Sequence, residues 1–495
     1  MLNLLLLQVP VICAWLLIRF FIDCSRKNGA IPTVRRWPAP FPEFLDRLSY
    51  NDNAAQLVEE GYRKHKDRPF RLLKMDMDLV VIPLKYALEL RAITSDKLDP
   101  LTATFDDNAG NLTNILLGSE LHSDAIHRRL TPGLPRIIPV ILDELRRAFD
   151  QVLPQCEGTW TPVSPYDMVL SLSTRAAARV FVGEPVCRDE VFLETSASFS
   201  RNIFYTISTF QDLGKTVGHM LGILAPSVRH ARKQLVYVQQ LLGSEVERRR
   251  ACPDEKHDDF LQWCMDLARN ENEAKPEALA HRTIGIMSMA VVHTTAMATT
   301  HMLFDLMANP TLQESLRKEQ EAVLPTGWEG ISQKAMLEMR LLDSLMRESQ
   351  RLNPVGEFTF RRVVKEPISL SDGYQLRPGQ QIALPARHIN MGDDTVGDGE
   401  SFRPFRWAHQ EQAQAASFSH SSSSNLNFGL GRYACPGRFF ASYMIKATTS
   451  RILLEYDFKL QSGAETCRPP NIIRGDKILP NPDSVVLFRR RVPSL

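Results

Sequence analysis

Apolar residues recur at spacings of three and four through most of the chain, the signature of helices that bury one face. Residues 138–152 and 235–246 show it plainly, the second stretch running into the charged Arg248-Arg249-Arg250. Strand-like runs are few and short: Leu79-Val80-Val81-Ile82, Ile368-Ser369-Leu370, Gln381-Ile382-Ala383-Leu384 and Val485-Val486-Leu487-Phe488. The pattern predicts a mainly α chain with small β-sheets at its edge and no internal repeat.

Two stretches depart from amphipathic patterning. Residues 4–22 are almost wholly apolar, interrupted by Gln8, Pro10 and Arg19, and about 20 such residues suffice to cross a bilayer. Arg26, Lys27, Arg35 and Arg36 follow, interleaved with Pro32, Pro38, Pro40 and Pro42. Basic residues on that flank keep the remainder on the cytosolic side, and the prolines bar a continuous helix. The expected organisation is an N-terminal transmembrane anchor over 1–24, a basic, proline-rich hinge over 25–43 and a catalytic domain over 44–495. The second stretch, 278–308, reads as one helix ended by Asn309-Pro310, with no Asp, Glu, Lys or Arg between Thr283 and Phe304. It is rich in Met, Thr and His rather than Leu, Ile and Phe. That composition favours a helix buried at the centre of a large domain over a second membrane span.

Charge and cysteine usage narrow the function. Lys+Arg 59 against Asp+Glu 57 leaves no electrostatic case for nucleic acid. The 8 cysteines are scattered without a Cys-x-x-Cys pair, which suits a reducing compartment. A Gly-x-Gly-x-x-Gly dinucleotide fingerprint is missing, and His293 and His301 are too far apart in sequence for a helical metal pair. Chemistry concentrates instead in Phe428-Gly429-Leu430-Gly431-Arg432-Tyr433-Ala434-Cys435-Pro436-Gly437. The residues that follow read as a helix with Pro436 at its first position. Cys435 then stands at a helix N-terminus, where free amides and the macrodipole favour a thiolate. Gly431 and Gly437 leave room for a flat, bulky group against the backbone, and Phe428 can pack along the same face.

This run, Phe428-x-x-Gly431-x-x-x-Cys435-x-Gly437, resembles the haem-binding loop of the cytochrome P-450 monooxygenases, and the next residues, Arg438-Phe439-Phe440-Ala441, are similar to fungal members. The segment Arg179-Val180-Phe181-Val182-Gly183-Glu184-Pro185-Val186-Cys187 looks like fungal enzymes of specialised metabolism, terpenoid oxidases among them. The resemblance covers nearly the whole chain after the hinge. It implies the cytochrome P-450 fold, with haem b (iron protoporphyrin IX) held through Cys435 as axial iron ligand.

Further assignments follow from that likeness. Glu348 and Arg351, one turn apart on a helix, would form a structural network with Arg406 in Phe402-Arg403-Pro404-Phe405-Arg406-Trp407. Ala290-Val291-Val292-His293-Thr294-Thr295 falls where the family has a small pair, an acid and a threonine. Thr294 and His293 are therefore the expected proton relay to O2, with His293, which titrates near neutrality, in place of the acid and Val291 in place of the usual glycine. Arg362, Tyr433 and Arg129 are the expected partners of the haem propionates. Ile286, Met289, Ala290, Val355 and Phe358, with the turn at 476–479, would line the substrate pocket. Electrons would come from NADPH through a membrane-bound cytochrome reductase, with cytochrome b5 as a second donor, docking near Arg432, Arg438 and Lys446.

The whole points to an endoplasmic-reticulum enzyme, single-pass with its catalytic domain in the cytosol, that hydroxylates an apolar multi-ring secondary metabolite: a terpenoid, a meroterpenoid or an indole alkaloid. The departures at Val291 and His293 leave a haem-thiolate isomerase, dehydratase or peroxide-using enzyme as an alternative. A non-catalytic membrane-bound scaffold is the reading in which Cys435 is an ordinary core cysteine.

Overall fold

A computed structural model describes residues 31–38, 40–113, 118–153, 156–222, 224–410, 413–461 and 467–491. The expected anchor over 1–24 and the start of the hinge lie outside the described residues. Helices dominate, and the principal sheet has five strands in the order Phe70–Leu73, Asp78–Val81, Gln381–Leu384, Thr359–Val364, Leu98–Asp99. Its second and third strands run parallel, with Val80 opposite Ile382. Alternation of side chains along a strand sends successive residues to opposite faces. Val80, Ile382 and Leu384 accordingly join one apolar cluster with Tyr86, Leu90 and Leu98. Leu79, Val81 and Ala383 join another with Tyr50, Leu57 and Val58 of the helix Glu43–Lys64. A second sheet pairs Val486–Arg490 with both Thr161–Val163 and Tyr456–Leu460, tying the chain's end to its middle.

The charge-free stretch is one long helix through the core. It runs as α-helix over Pro276–Gly285, widens to a π-helix over Ile286–Val292, and resumes as α-helix over His293–Met307. The wide segment is absent from the sequence expectation, and such π segments concentrate at functional positions because they re-aim the side chains around them. The helix packs against Pro165–Phe181, Arg340–Leu352 and Arg438–Glu455. Two of its hydroxyls are absorbed locally: Thr283 Oγ1 donates to Leu279 O at 2.8 Å and Thr299 Oγ1 to Thr295 O at 2.8 Å, the usual way a threonine is tolerated inside a helix. No helix among the described residues is long and apolar enough to cross a membrane.

One buried ionic cluster anchors the C-terminal hairpin Ile472–Arg474 and Lys477–Leu479. At its turn, Asp476 accepts from Tyr50 Oη at 2.6 Å, from Lys74 Nζ at 3.0 Å and from Arg361. Burial raises the Asp476 carboxyl, but Lys74, Arg361 and the Tyr50 hydroxyl outweigh it and hold the group well below the ordinary carboxylate range.

Three histidines of the central helix, His281, His293 and His301, are buried. Burial, aided by Arg282 at His281 and Arg201 at His293, pushes those two down to about 4, and burial with Arg468 pushes His301 down to about 3. The unfolded chain therefore binds more protons than the folded one as pH falls from about 6.5 toward 4, and stability drops across that window, by about 2 kcal/mol per imidazole at pH 5. Thermal unfolding should show a lower midpoint at pH 5 than at pH 7.5; an unchanged midpoint would contradict the burial of these rings in neutral form.

Candidate active site at the cysteine loop

The helix Arg438–Glu455 begins two residues later than the sequence suggests, with Gly437 rather than Cys435 in the cap position and Pro436 outside it. Cys435 is held by its own amide, which donates to Phe428 O at 2.7 Å, and its sulfur accepts the backbone N–H groups of Gly437 and Arg438. The side chain is enclosed by protein yet reachable by solvent. Burial raises its thiol pKa, and the two amides with the Arg438 charge pull the other way without prevailing. The helix start alone thus does not favour the thiolate, contrary to the sequence expectation. A bound metal supplies the missing positive charge, since ligation by sulfur releases its proton.

The two glycines serve different ends. Gly431 has φ +73°, and a Cβ there would stand 2.8 Å from Arg91 O. Its smallness makes room for protein, which corrects its expected role beside a flat group. At Gly437 a Cβ would meet nothing nearer than Cys435 Sγ at 4.0 Å, so this is the glycine that keeps the surroundings of the sulfur open. Phe428 packs edge-on against Phe418, ring centres 5.1 Å apart.

Behind the loop, Glu348, Arg351 and Arg406 come together. The Glu348 carboxylate is wholly buried. It accepts from Arg351 Nε at 2.9 Å and Nη2 at 2.8 Å, from Arg406 Nε at 3.2 Å, from the Arg403 amide at 2.9 Å and from Trp407 Nε1 at 3.2 Å. Burial alone would raise its pKa; the Arg351 hydrogen bonds, the Arg403 amide and the charges of Arg351 and Arg406 outweigh it and keep the group ionised. Arg351 also reaches Gly399 O at 2.5 Å and Ser401 O at 3.0 Å. The amide of Arg403 and the indole of Trp407 were not foreseen, because only folding brings them to the carboxylate.

Arg362 is buried on the strand Thr359–Val364. Its guanidinium stacks 4.4 Å from the Phe360 ring centre and 5.2 Å from that of Tyr433, and its one hydrogen bond goes to Arg361 O at 2.7 Å. Burial pushes it down to about 10, offset in part by Tyr433 and Asp99. No carboxylate of the described residues forms an ion pair with it, which for a buried cation points to an acidic partner outside the protein chain. Arg129 is exposed, on the π-helical turn Ile126–Leu130. Lys446 is buried against Asp343 at 2.6 Å and donates to Met336 O at 2.7 Å. It is a core tie and not part of a docking surface, correcting that expectation.

On the central helix, Thr294 Oγ1 donates to Ala290 O at 2.6 Å. Ile286, Met289, Ala290, Thr294 and Val355 line a cavity of about 230 Å³. Phe358 does not line it; it packs beside the first sheet under the Arg361 guanidinium, 5.4 Å from the ring centre. His293 lines a neighbouring cavity of about 410 Å³. Its Nδ1 pairs with Tyr166 Oη at 2.7 Å and its Nε2 with Ser200 Oγ. Being neutral down to about pH 4, it does not titrate near neutrality as its residue type suggests. Tyr166 and Ser200 escaped the sequence reading because no local spacing links them to residue 293.

The chain belongs to the cytochrome P450 family: the family model "Cytochrome P450" matches residues 106–485. It is a monooxygenase that uses haem b and O2, with electrons from a redox partner. The chain is 76% identical to the cytochrome P450 monooxygenase terP of Tolypocladium album, over 100% of this chain and 99% of the relative. To idtP of Claviceps paspali it is 63% identical, over 98% and 99%, and to paxP of Penicillium paxilli 42%, over 94% and 91%. A solved structure, retinoic acid bound cyanobacterial CYP120A1, superimposes with a TM-score of 0.68 at 18% identity, covering 93% of this chain and 99% of that one. The residues here fit the family's haem: a cysteine sulfur with two amide donors, an open side at Gly437, and a buried arginine lacking an acidic partner.

Two variants separate clamp from cofactor contact. Glu348→Ala strands the buried Arg351 guanidinium, a loss of about 3–5 kcal/mol, and should yield little haem-loaded protein by the ratio of Soret to protein absorbance. Arg362→Met should lower haem retention while leaving apoprotein melting unchanged or raised, since the guanidinium has no ion-pair partner among the described residues.

Proposed function

We propose that this monooxygenase is anchored by residues 1–24 in the endoplasmic-reticulum membrane, faces the cytosol and oxidises an apolar multi-ring secondary metabolite of a fungal pathway. Terpenoids, meroterpenoids and indole alkaloids are the candidate classes, and an NADPH-dependent cytochrome reductase is the electron source, with cytochrome b5 as an auxiliary. The observation that carries the substrate class is the cavity beside Thr294, walled by Ile286, Met289, Ala290 and Val355. Such walls bind flat hydrocarbon surface and offer it little hydrogen bonding.

Haem bound through Cys435 supplies oxygen activation, inserting one atom of O2 into a C–H bond. The chain's own residues do the rest. The Glu348 network holds the segment leading into the cysteine loop, and Arg362 with Tyr433 and Arg129 receives the propionates. The apolar walls exclude water from the reacting carbon. Thr294 Oγ1, facing the cavity from the turn after the π segment, passes a proton inward, its hydroxyl rotating between Ala290 O and the cavity. His293 takes part as a neutral imidazole: a proton crossing it enters at one nitrogen and leaves from the other, between Tyr166 and Ser200.

A reduced carbon-monoxide difference spectrum of microsomes, followed by NADPH-dependent turnover of candidate polycyclic metabolites, tests the reading; NADPH oxidation that no such metabolite stimulates would overturn the substrate class. Thr294→Ala should keep NADPH oxidation while product per NADPH falls about tenfold or more and hydrogen peroxide appears. Coupling should be flat between pH 6 and 8, because His293 holds no proton to lose in that range; a sigmoid centred near 6.5 would refute its neutral role.

A further inference from the structure

The two cavities along the central helix are neighbours that share Phe204, Met297, Lys477 and Leu479 in their walls. Thr294 lines the smaller cavity, and Lys477 stands in the wall common to both. Lys477 is out of place there. Its Nζ makes no hydrogen bond or ion pair among the described residues, although the side chain is partly accessible and enclosed by protein. The nearby carboxylates are engaged elsewhere: Asp107 with Arg361 at 2.8 Å, and Asp476 with Lys74 and Arg361. Burial, reinforced by Arg361, lowers its pKa, the mark of a cation short of partners. Its backbone is nonetheless fixed, bridged to Gly356 and held one residue after the Asp476 cluster. An ammonium presented by a rigid turn into an apolar space serves a ligand acceptor.

From this we propose that Lys477 selects substrates by donating a hydrogen bond to a carbonyl or hydroxyl oxygen carried on the ring system away from the carbon that is oxidised. The inference rests on the monooxygenase reading with a multi-ring substrate, and names the polar feature that substrate must have. With Asp107 and Asp476 engaged by Lys74 and Arg361, the Lys477 ammonium is left to an oxygen acceptor of the ligand. Losing such a bond leaves the amine buried and unpaired, which discriminates against analogues without the oxygen.

The probe is a series of 1-alkylimidazoles of increasing chain length, each with a plain or a methyl-ketone terminus, titrated into the haem-loaded, full-length enzyme. Iron coordination by the imidazole gives a spectral readout independent of turnover and fixes one end, so chain length measures the reach to the amine. At one intermediate length the ketone should bind about tenfold or more tightly than its hydrocarbon counterpart. Lys477→Met should abolish that gain, so that ketone and hydrocarbon of the same length bind alike, and Lys477→Gln should retain part of it. A ketone gain at no length in the wild type, or a gain that survives Lys477→Met, overturns the assignment. Absence of any imidazole-induced shift would overturn the haem-thiolate reading beneath it, a distinguishable failure.

Discussion

Burying a charge is costly unless every lone pair is met, and Glu348 sits at 0% exposure with guanidinium, amide and indole donors around it. The remainder of the cysteine region is arranged around that requirement. The helix Arg340–Leu352 carries the carboxylate and, about one turn earlier, the adjacent Ser344 and Asp343. Ser344 bonds Pro404 O and the Trp407 amide, while Asp343 bonds the Phe418 amide and pairs with Lys446. Phe418 in turn meets Phe428, whose carbonyl receives the Cys435 amide. An uninterrupted path of contacts thus runs from one helix face to the Cys435 backbone through residues 404–407 and 418–428.

The sulfur and the central helix answer opposite needs. Around Cys435 the enclosing protein raises the thiol while two backbone amides and Arg438 pull the other way, and a ligated haem iron would supply the remaining positive charge. Along the helix Thr283, Thr294 and Thr299 satisfy their hydroxyls on the preceding turn, while the buried hydroxyls of Ser288, Thr295 and Thr300 find no partner among the described residues. The π segment carries Ile286, Met289 and Ala290 into the wall of the smaller cavity, and just after it His293 lines the larger cavity while Thr294 lines the smaller. One helix can then present a hydroxyl toward the reacting centre and an imidazole toward a polar network, within two consecutive positions.

What could be read from the sequence was whatever local spacing encodes. Cys435 with its glycines, Glu348 with Arg351, and the charge-free helix are all contained in short windows, and the mainly helical class follows from apolar periodicity. What escaped depends on distance in the chain. Lys446 looks like surface charge until Asp343, far upstream, buries it. Phe358 sits next to a pocket residue in sequence, yet packs beneath Arg361 on the first sheet. Gly431 looked like space for a ligand and is space for Arg91. His293 had the right residue type, but its protonation is set by Tyr166, Ser200 and burial, none of which lies within a helical turn of it.

The Asp476 cluster has a bearing on how such enzymes diversify. Tyr50, Lys74 and Arg361 come from three separate regions of the chain to hold one carboxylate at the hairpin turn. An insertion or deletion in that turn would strand several buried charges at once, so lengthening the hairpin is closed as a route to a new pocket. Exchanging the side chains at 477 and 479 leaves the tether untouched. Variation in what this pocket accepts is therefore channelled into point substitutions on a backbone of fixed length, and relatives should differ there in identity of residue before they differ in number.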